Sequence, residues 1–292
     1  MCGVVGIIGK KNASSLVLEG LKKLEYRGYD SAGIASFYQK SIQVAKSEGK
    51  LVNLINKVND LTKDDLYYDT SIALGHTRWA THGNTNIKNA HPLTSENRVA
   101  VVHNGIIENY ASIKKTLESE GYIFTSQTDT EVLPHLFTKY LKNGHDFLQA
   151  GRLVLKDIKG AFAFVAICLD FPDQLFVSRN SSPLAIGLGE GSNFVGSDAQ
   201  SINHLTNKII YLEDGDYALI KVNNIEIFDN ESNKIDRKII NVQSELGLIT
   251  KGGYKHFMEK EIYEQPSVIP HTISSFINPK STIDIDLDKL GF

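Results

Sequence analysis

The second half of the chain is a succession of short apolar segments separated by Gly, Asn and Asp, and this punctuation limits the fold more than any other feature. Segments this short, joined by turn residues, predict antiparallel strands, because parallel neighbours need crossover connections of a dozen or more residues. Such strands are predicted at 161–169, 175–178, 184–188, 194–196, 209–212, 216–222 and 225–228. The chain therefore needs sheets whose strands follow one another through tight turns.

The first half mixes strands with helices. Apolar runs predict strands at 4–8, 32–38, 42–47, 71–74 and 98–102. Helical spacing predicts helices over 108–120, 132–140 and 147–158, and an earlier helix that stops at Arg27-Gly28, where glycine permits a left-handed turn. Mostly antiparallel strands with helices beside them predict an α+β fold, a two-sheet sandwich covered by helices.

Composition and charge argue against several classes of protein. The 31 basic and 34 acidic residues leave a net charge of -3, which favours neither nucleic acid nor an anionic membrane as a partner. No apolar run approaches the roughly 18–20 residues that span a bilayer. The N-terminus lacks the basic segment of a signal peptide, and Cys2 and Cys168 do not make a disulfide framework. These features predict a cytoplasmic protein.

The regular pattern weakens after residue 242. Glycines at 252 and 253 and prolines at 266, 270 and 279 interrupt any helical or strand period. The sequence therefore predicts a main domain over 1–242 and a C-terminal extension and linker over 243–292.

Cys2 is the strongest candidate for a reactive group. Removal of Met1, which a small second residue favours, would place a thiol and a free α-amino group on one residue. The α-amino pKa is about 7.7–8.0, so near neutral pH much of this amine can act as a base for the thiol. A cysteine at position 2 is by itself more often an accident of sequence. Here Gly3 and the apolar segment 4–8 follow it, so we expect it at the open end of a buried strand.

Asn104-Gly105 allows two interpretations. Between two strands, Asn-Gly usually forms a type I′ hairpin turn. The following segment, 108–120, reads as a helix, which makes a simple hairpin less favourable. The alternative is an oxyanion hole made by the Asn104 side-chain amide and the Gly105 backbone N–H, as amide hydrolysis requires.

The densest polar run is Gly-His-Thr-Arg-Trp-Ala-Thr-His-Gly at 75–83. Arg78 offers a planar guanidinium suited to a carboxylate, and Trp79 could close over a ligand. Asp129 could pair with an ammonium group, or it could cap the helix that follows it. Arg78 and Asp129 aimed at one pocket would bind the two charges of a free amino acid.

Several histidines raise the question of a metal site: His76, His82, His91 and His103. Their spacings fit neither the i, i+4 pattern of a helix nor a paired-ligand motif, and no cysteine or acidic cluster completes a ligand set. We therefore expect no metal.

Taken together, these segments resemble the glutaminase domain of the class II glutamine amidotransferases, which are N-terminal-nucleophile hydrolases. The resemblance rests, in chain order, on Cys2-Gly3 and on segments 26–33, 76–83, 103–109, 128–132 and 260–266. Thr-Arg-Trp-Ala-Thr-His-Gly at 77–83 and Lys-Glu-Ile-Tyr-Glu-Gln-Pro at 260–266 point to the sugar-phosphate branch of this class over the purine-synthesis branch. The resemblance implies a four-layer αββα fold with mainly antiparallel sheets, in which 1–242 is the glutaminase domain.

The resemblance also implies a role for each motif residue. Its catalytic group comprises the nucleophile Cys2, the oxyanion donors Asn104 and Gly105, and Arg27 and Gly28, which orient the terminal residue. Its substrate-binding group comprises Arg78 and Asp129 at the charged ends of L-glutamine, Thr81 and His82 along the pocket, and Trp79 as a lid or gate. The implied product is glutamate, formed with ammonia through a glutamyl thioester, and no cofactor or metal takes part.

In the sugar-phosphate branch, fructose 6-phosphate is bound by a sugar-isomerase region that would begin where this sequence stops. The chain is therefore expected to supply ammonia without making glucosamine 6-phosphate, and the full-length enzyme could form a homodimer.

Three alternatives stay open: an amidotransferase domain serving purine, asparagine or glutamate synthesis, a catalytically silent regulatory module with the same fold, and a hydrolase of another amide. The intact Cys2 and Asn104-Gly105 weigh against the silent module, and the Arg78/Asp129 pair favours a free amino acid.

Overall fold

The structure, a computed structural model, describes residues 2–38, 40–62, 70–79, 86–242 and 253–276. The chain divides into two compact units, Met1–Ser244 and Glu245–Phe292. The strands of the first unit are β1 Gly3–Ile8, β2 Ser31–Tyr38, β3 Ser41–Glu48, β4 Ile72–Arg78, β5 Leu93–Ser95, β6 Val99–Ile107, β7 Gly160–Cys168, β8 Phe171–Asn180, β9 Ala185–Gly189, β10 Ser192–Gly196, β11 Lys208–Tyr211, β12 Tyr217–Ile220, β13 Ile225–Phe228, β14 Lys234–Ile235 and β15 Ile239–Asn241. Its helices are α1 Ala13–Leu24, α2 Leu51–Thr62, α3 Tyr110–Ser119, α4 Val132–Lys142 and α5 Phe147–Asp157.

The strands form two sheets. Sheet A has the order β15-β11-β9-β10-β1-β4-β2-β3, and sheet B has the order β14-β13-β12-β8-β7-β6-β5. Every pairing between these strands is antiparallel, as the short punctuated segments predict. In sheet A, the register of β1 against β4 places Val4 opposite His76.

Alternation along the strands divides the apolar side chains among three layers. On β1, Val4 faces the core between the two sheets, and Val5 faces the core beneath α1 and α2. On the far side, α3, α4 and α5 cover sheet B, with Phe137 and Phe147 packed on strand residues such as Phe164. This order of helices, sheet, sheet and helices confirms the predicted α+β class and its four-layer αββα arrangement.

The prediction of a left-handed turn at Gly28, after α1, is wrong. A 3-10 turn, Glu25–Arg27, continues α1, so the helical path ends where expected. Gly28 is extended, with φ −175° and ψ 135°, and is not left-handed. Glycine is needed there for packing, because a Cβ at this position would lie 2.7 Å from the Arg78 carbonyl.

The second unit contains a helix where the sequence predicted a linker. Helix α6, Phe257–Phe276, runs through Pro266 and Pro270. Prolines inside a segment usually break a helix, but local contacts near the start of α6 support it. The Lys255 N–H donates to the Glu259 carboxylate over 3.0 Å, and Lys260 pairs with Glu264 one turn on. No helix among the described residues is long and apolar enough to span a membrane.

Candidate active site

A cavity of about 240 Å³ lies where the end of β4 in sheet A faces β6 in sheet B. Its described lining includes most of the predicted site residues: Cys2, Arg27, Arg78, Trp79, Asn104, Gly105 and Asp129. Gly28 lies against the Arg78 carbonyl behind this lining, and Thr81 and His82 lie outside the described residues. Motifs far apart in the sequence therefore meet at one site.

Cys2 lies just before β1, and the main chain of Trp79 holds its sulfur. The Trp79 N–H donates to Sγ over 3.1 Å, and the thiol donates to the Trp79 carbonyl over 3.4 Å. Burial raises the pKa of the Cys2 thiol, although the hydrogen bond from Trp79 works in the opposite direction. The thiol is therefore protonated near neutral pH, and a base must take its proton before the sulfur can attack.

The Trp79 side chain lies apart from this contact. Its ring is 48% exposed and stands edge-on to Tyr29, with 5.6 Å between the ring centroids. The backbone of Trp79 thus holds the cysteine sulfur, while its exposed ring contacts Tyr29.

Asn104 and Gly105 lie within β6 and not in a hairpin turn. They pair with Ala163 and Phe162 of β7, so the hairpin interpretation is wrong. Gly105 has φ +121°, and a Cβ there would come within 2.0 Å of the Ala161 carbonyl oxygen, so the position requires glycine. The Asn104 Nδ2 donates to the Cys2 carbonyl over 3.0 Å, which places this amide against the candidate nucleophile.

His76 supports Asn104 from the facing strand. Its Nε2 lies 3.1 Å from the His103 carbonyl oxygen and 3.0 Å from the Asn104 Oδ1. Both oxygens can only accept, so Nε2 carries the hydrogen. Burial lowers the pKa of His76 to about 3, so the imidazole is neutral at physiological pH.

Asp129 lies in a 3-10 turn, Asp129–Glu131, immediately before α4, and is buried. Its Oδ2 accepts the Ile107 N–H over 2.6 Å, which ties the turn to the end of β6. The helix-cap interpretation is wrong, because within the described residues this turn and α4 have no side-chain cap. The carboxylate is held in place by the neighbouring strand.

The two arginines of the cavity have different surroundings. Arg78 ends β4 and is 4% exposed, on the same strand face as His76. Arg27 pairs with Asp198 at 2.7 Å and donates to the Tyr26 hydroxyl over 3.2 Å. An arginine buried at a cavity wall is suited to a carboxylate ligand, and binding of a substrate carboxylate by Arg78 stays a prediction.

Eight of the described lining residues were not among the predicted site residues: His76, His91, His103, Ile106, Thr128, Thr130, Ser182 and Pro183. Three of them, His76, His91 and His103, had only a metal interpretation from the sequence, and it was not favoured. Period-two alternation from Arg78 along a strand could have placed His76 at the site. The rings of His76 and His91 lie 4.3 Å apart, and those of His91 and His103 lie 6.4 Å apart. Over the part of the chain that the structure describes, no group of His, Cys, Asp or Glu is arranged to hold a metal ion.

Two sandwiched antiparallel sheets with a cysteine before the first strand define the class of N-terminal-nucleophile amidotransferases. Residues 42–239 match the glutamine amidotransferase domain family. The chain belongs to this family.

Known relatives and structures agree with this assignment. The isomerizing glutamine–fructose-6-phosphate aminotransferase of Mesorhizobium japonicum is 44% identical over 288 residues, which are 99% of this chain and 46% of that protein. The enzyme of the same name from Fusobacterium nucleatum is 47% identical over 296 residues, 100% of this chain and 48% of that protein. The structure of glutamine phosphoribosylpyrophosphate amidotransferase from B. subtilis, complexed with ADP and GMP, matches with a TM-score of 0.66 and 26% identity over 80% of this chain and 50% of that one. The chain spans about half the length of the curated relatives it matches.

Proposed function

We propose that this chain hydrolyses L-glutamine to L-glutamate and ammonia, with Cys2 as the nucleophile. The observation that supports this most strongly is the contact between the Asn104 side-chain amide and Cys2, 3.0 Å long, at a cavity that also holds buried Arg78 and Asp129. A thiol, an oxyanion donor and two opposite charges are the groups that hydrolysis of a free amino acid's side-chain amide requires.

The chemistry needs a base, because burial keeps the thiol protonated. After removal of Met1, the α-amino group of Cys2 takes the thiol proton and the sulfur attacks the amide carbon of glutamine. The oxyanion accepts hydrogen bonds from the Asn104 Nδ2 and the Gly105 N–H. The protonated α-amino group of Cys2 passes its proton to the leaving nitrogen. The C–N bond then breaks, and ammonia departs and leaves a glutamyl thioester on Cys2. The same amine then deprotonates a water molecule, which attacks the thioester carbon. The C–S bond breaks, glutamate is released, and the amine returns the proton to the Cys2 sulfur.

Substrate recognition follows from the charges of the cavity. Arg78 binds the α-carboxylate and Asp129 binds the α-ammonium of glutamine. Thr81 and His82, which lie outside the described residues, are assigned to substrate binding on the family resemblance. Trp79, which lines the cavity and has a half-exposed ring, acts as a lid. Arg27, held by Asp198, and Gly28, packed on the Arg78 carbonyl, keep the segment around the terminal cysteine in place.

The wider role is proposed from the names of the relatives. This chain corresponds to the glutaminase half of glucosamine-6-phosphate synthase, which would pass ammonia to fructose 6-phosphate in a sugar-isomerase region. In that arrangement 1–242 is the glutaminase domain, 243–292 leads toward the acceptor region, and the full-length protein is a cytoplasmic homodimer. Identities of 44% and 47% to enzymes named for fructose 6-phosphate, against 26% to the phosphoribosylpyrophosphate enzyme, favour this branch.

The test is release of glutamate and ammonia from glutamine, after mass spectrometry has checked for loss of Met1. The wild-type chain and Cys168→Ala should both be active, and Cys2→Ala should be inactive. Cys168 is a suitable control because it is the other cysteine and lies buried in β7, away from the cavity. Glutamine hydrolysis by Cys2→Ala, or none by the processed wild-type chain, would contradict the proposal.

A further inference from the structure

We propose that His76 is a positioning residue that sets the orientation of the Asn104 side-chain amide. This inference rests on the proposed function, in which Asn104 is an oxyanion donor. His76 does not itself touch the cysteine in the described structure; it acts through Asn104.

A main-chain carbonyl sets the tautomer of His76. The His103 carbonyl oxygen, 3.1 Å from His76 Nε2, can only accept a hydrogen bond, so it fixes the hydrogen on Nε2. The same N–H lies 3.0 Å from the Asn104 side chain. This N–H can only donate a hydrogen bond. It therefore favours the amide oxygen of Asn104 as its neighbour, because that oxygen can accept, and it disfavours the amide nitrogen. The tautomer is therefore set independently of Asn104, and it then selects the orientation of Asn104.

The other end of the amide shows why this selection matters. With Oδ1 turned toward His76, Nδ2 points to residue 2 and donates to its carbonyl over 3.0 Å. In the reversed orientation an oxygen would face both the Cys2 carbonyl and the developing oxyanion, which repels both. An asparagine side chain has two nearly isosteric orientations, so a fixed donor on one side is an efficient way to keep the productive one.

The location of His76 makes it a firm support. It is completely buried on β4, opposite Val4 of β1, and its ring packs on His91 with 4.3 Å between centroids. Its other ring nitrogen, Nδ1, is buried without a hydrogen-bond partner among the described residues. Only the Nε2 side of the ring therefore makes the polar contacts that this structure describes.

The first experiment compares His76→Gln with His76→Met in the full chain. The two side chains are similar in length and unbranched, but only glutamine can donate near the position of Nε2. Loss of one oxyanion donor costs about 10²–10³-fold in rate, so we expect His76→Met to lower kcat by up to about 10²-fold with a smaller change in KM. His76→Gln should recover most of the loss, whereas His76→Asn, whose amide is one carbon shorter, should not.

A second measurement separates positioning from general damage. An aldehyde analogue of glutamine, with CHO in place of the side-chain amide, should add to Cys2 and place its oxygen at the oxyanion donors. His76→Met should weaken binding of this analogue much more than binding of L-glutamate. The double variant His76→Met/Asn104→Ala should be no slower than Asn104→Ala alone, because His76 acts through Asn104.

The outcomes distinguish the two proposals. An active wild-type chain with an unchanged kcat in a folded His76→Met variant would overturn the role of His76 and leave the proposed function standing. Additive losses in the double variant, or equal weakening of both ligands, would also overturn it. If His76→Met does not fold, kcat for His76→Gln against His76→Asn decides: equal values contradict the inference. An inactive processed wild-type chain would overturn the proposed function, and this inference with it.

Discussion

The two sheets contribute to the site in different ways. Sheet B brings Asn104, and the turn before α4 brings Asp129, and each of these side chains is held by a described hydrogen bond, to His76 and to the Ile107 N–H. Sheet A brings Cys2, next to the chain terminus, whose sulfur is described only in contact with the main chain of Trp79. The Asn104 and Asp129 side chains are thus fixed by hydrogen bonds within the fold, whereas the Cys2 sulfur depends on the main chain of Trp79 and, in the proposed mechanism, on processing of the terminus.

The largest effect of a change on the sheet B side is expected for Asn104→Ala. Removing an oxyanion donor should lower kcat by about 10²–10³-fold with little change in KM. Steady-state kinetics with glutamine measures this. Asn193→Ala is a matched control, because Asn193 is also a strand asparagine whose Nδ2 donates to main-chain carbonyls, those of Lys221 and Val222. If both variants lost activity equally, the special role of Asn104 would be refuted.

Gly105→Ala tests how much the close packing of β6 against β7 at Gly105 contributes to stability. Its φ of +121° and the 2.0 Å approach of a Cβ to the Ala161 oxygen should together cost about 3 kcal/mol of unfolding free energy. Gly144→Ala is the control, because Gly144 has φ +87° but open space around a Cβ, so only strain of about 1–2 kcal/mol is expected. Denaturant unfolding of both variants measures the difference, and equal losses would show that the close approach to β7 does not matter.

Asp129→Asn should weaken substrate binding while leaving the fold in place. Asparagine can still accept the Ile107 N–H, but it loses the charge for the substrate ammonium, at roughly 2 kcal/mol or about thirtyfold in KM. Asp146→Asn serves as the control, since Asp146 caps α5 and asparagine caps as well. A KM for Asp129→Asn equal to that of the control would remove Asp129 from substrate binding.

The smallest expected effect per residue is the pH dependence of the unfolding free energy that comes from the buried histidines of the site. Burial lowers the pKa of His76 to about 3 and also lowers those of His91 and His103. Below about pH 6.5 the unfolded chain binds protons that the folded chain does not, so stability is full above that pH and falls as pH drops toward 3. For His76 the slope is about 1.4 kcal/mol per pH unit between about pH 6.5 and 3, and His91 and His103 add to it in the same direction.

Unfolding free energies at several pH values between 7.5 and 5 measure this slope. His76→Gln should reduce it by the share of one histidine, because glutamine does not titrate. An unchanged slope in this variant would contradict the assignment of a neutral, buried His76.

Much of the architecture could be predicted because it depends on local patterns. Short apolar runs bounded by turn residues located β7 to β13 to within a few residues, and the helices ending near Gly121 and Gly144 carry glycine at positive φ. Helix α2 and the edge strands β5, β14 and β15 were missed. The three edge strands are only two or three residues long, and runs this short show no usable period.

The site was predicted as a set of motifs but not as an arrangement. The types and order of Cys2, Arg78, Asn104 and Asp129 were visible in the sequence, whereas their contacts depend on strand register. The register that places Val4 opposite His76, and the facing of β4 and β6 across the core, bring His76 to Asn104. Alternation along a strand can place His76 on the same face as Arg78, but the facing of β4 and β6 is not encoded locally, so its contact with Asn104 appears only in three dimensions.

The central claim is that Cys2, whose sulfur is hydrogen-bonded to the main chain of Trp79, is the group that attacks glutamine. A glutamine analogue with a chloromethyl ketone in place of the side-chain amide should alkylate the nucleophile, and peptide mass spectrometry locates the label. The account predicts one label per chain on Cys2, none on buried Cys168, loss of glutaminase activity in proportion to labelling, and protection by glutamine. Labelling of Cys168, or full labelling of Cys2 with undiminished glutamine hydrolysis, would contradict it.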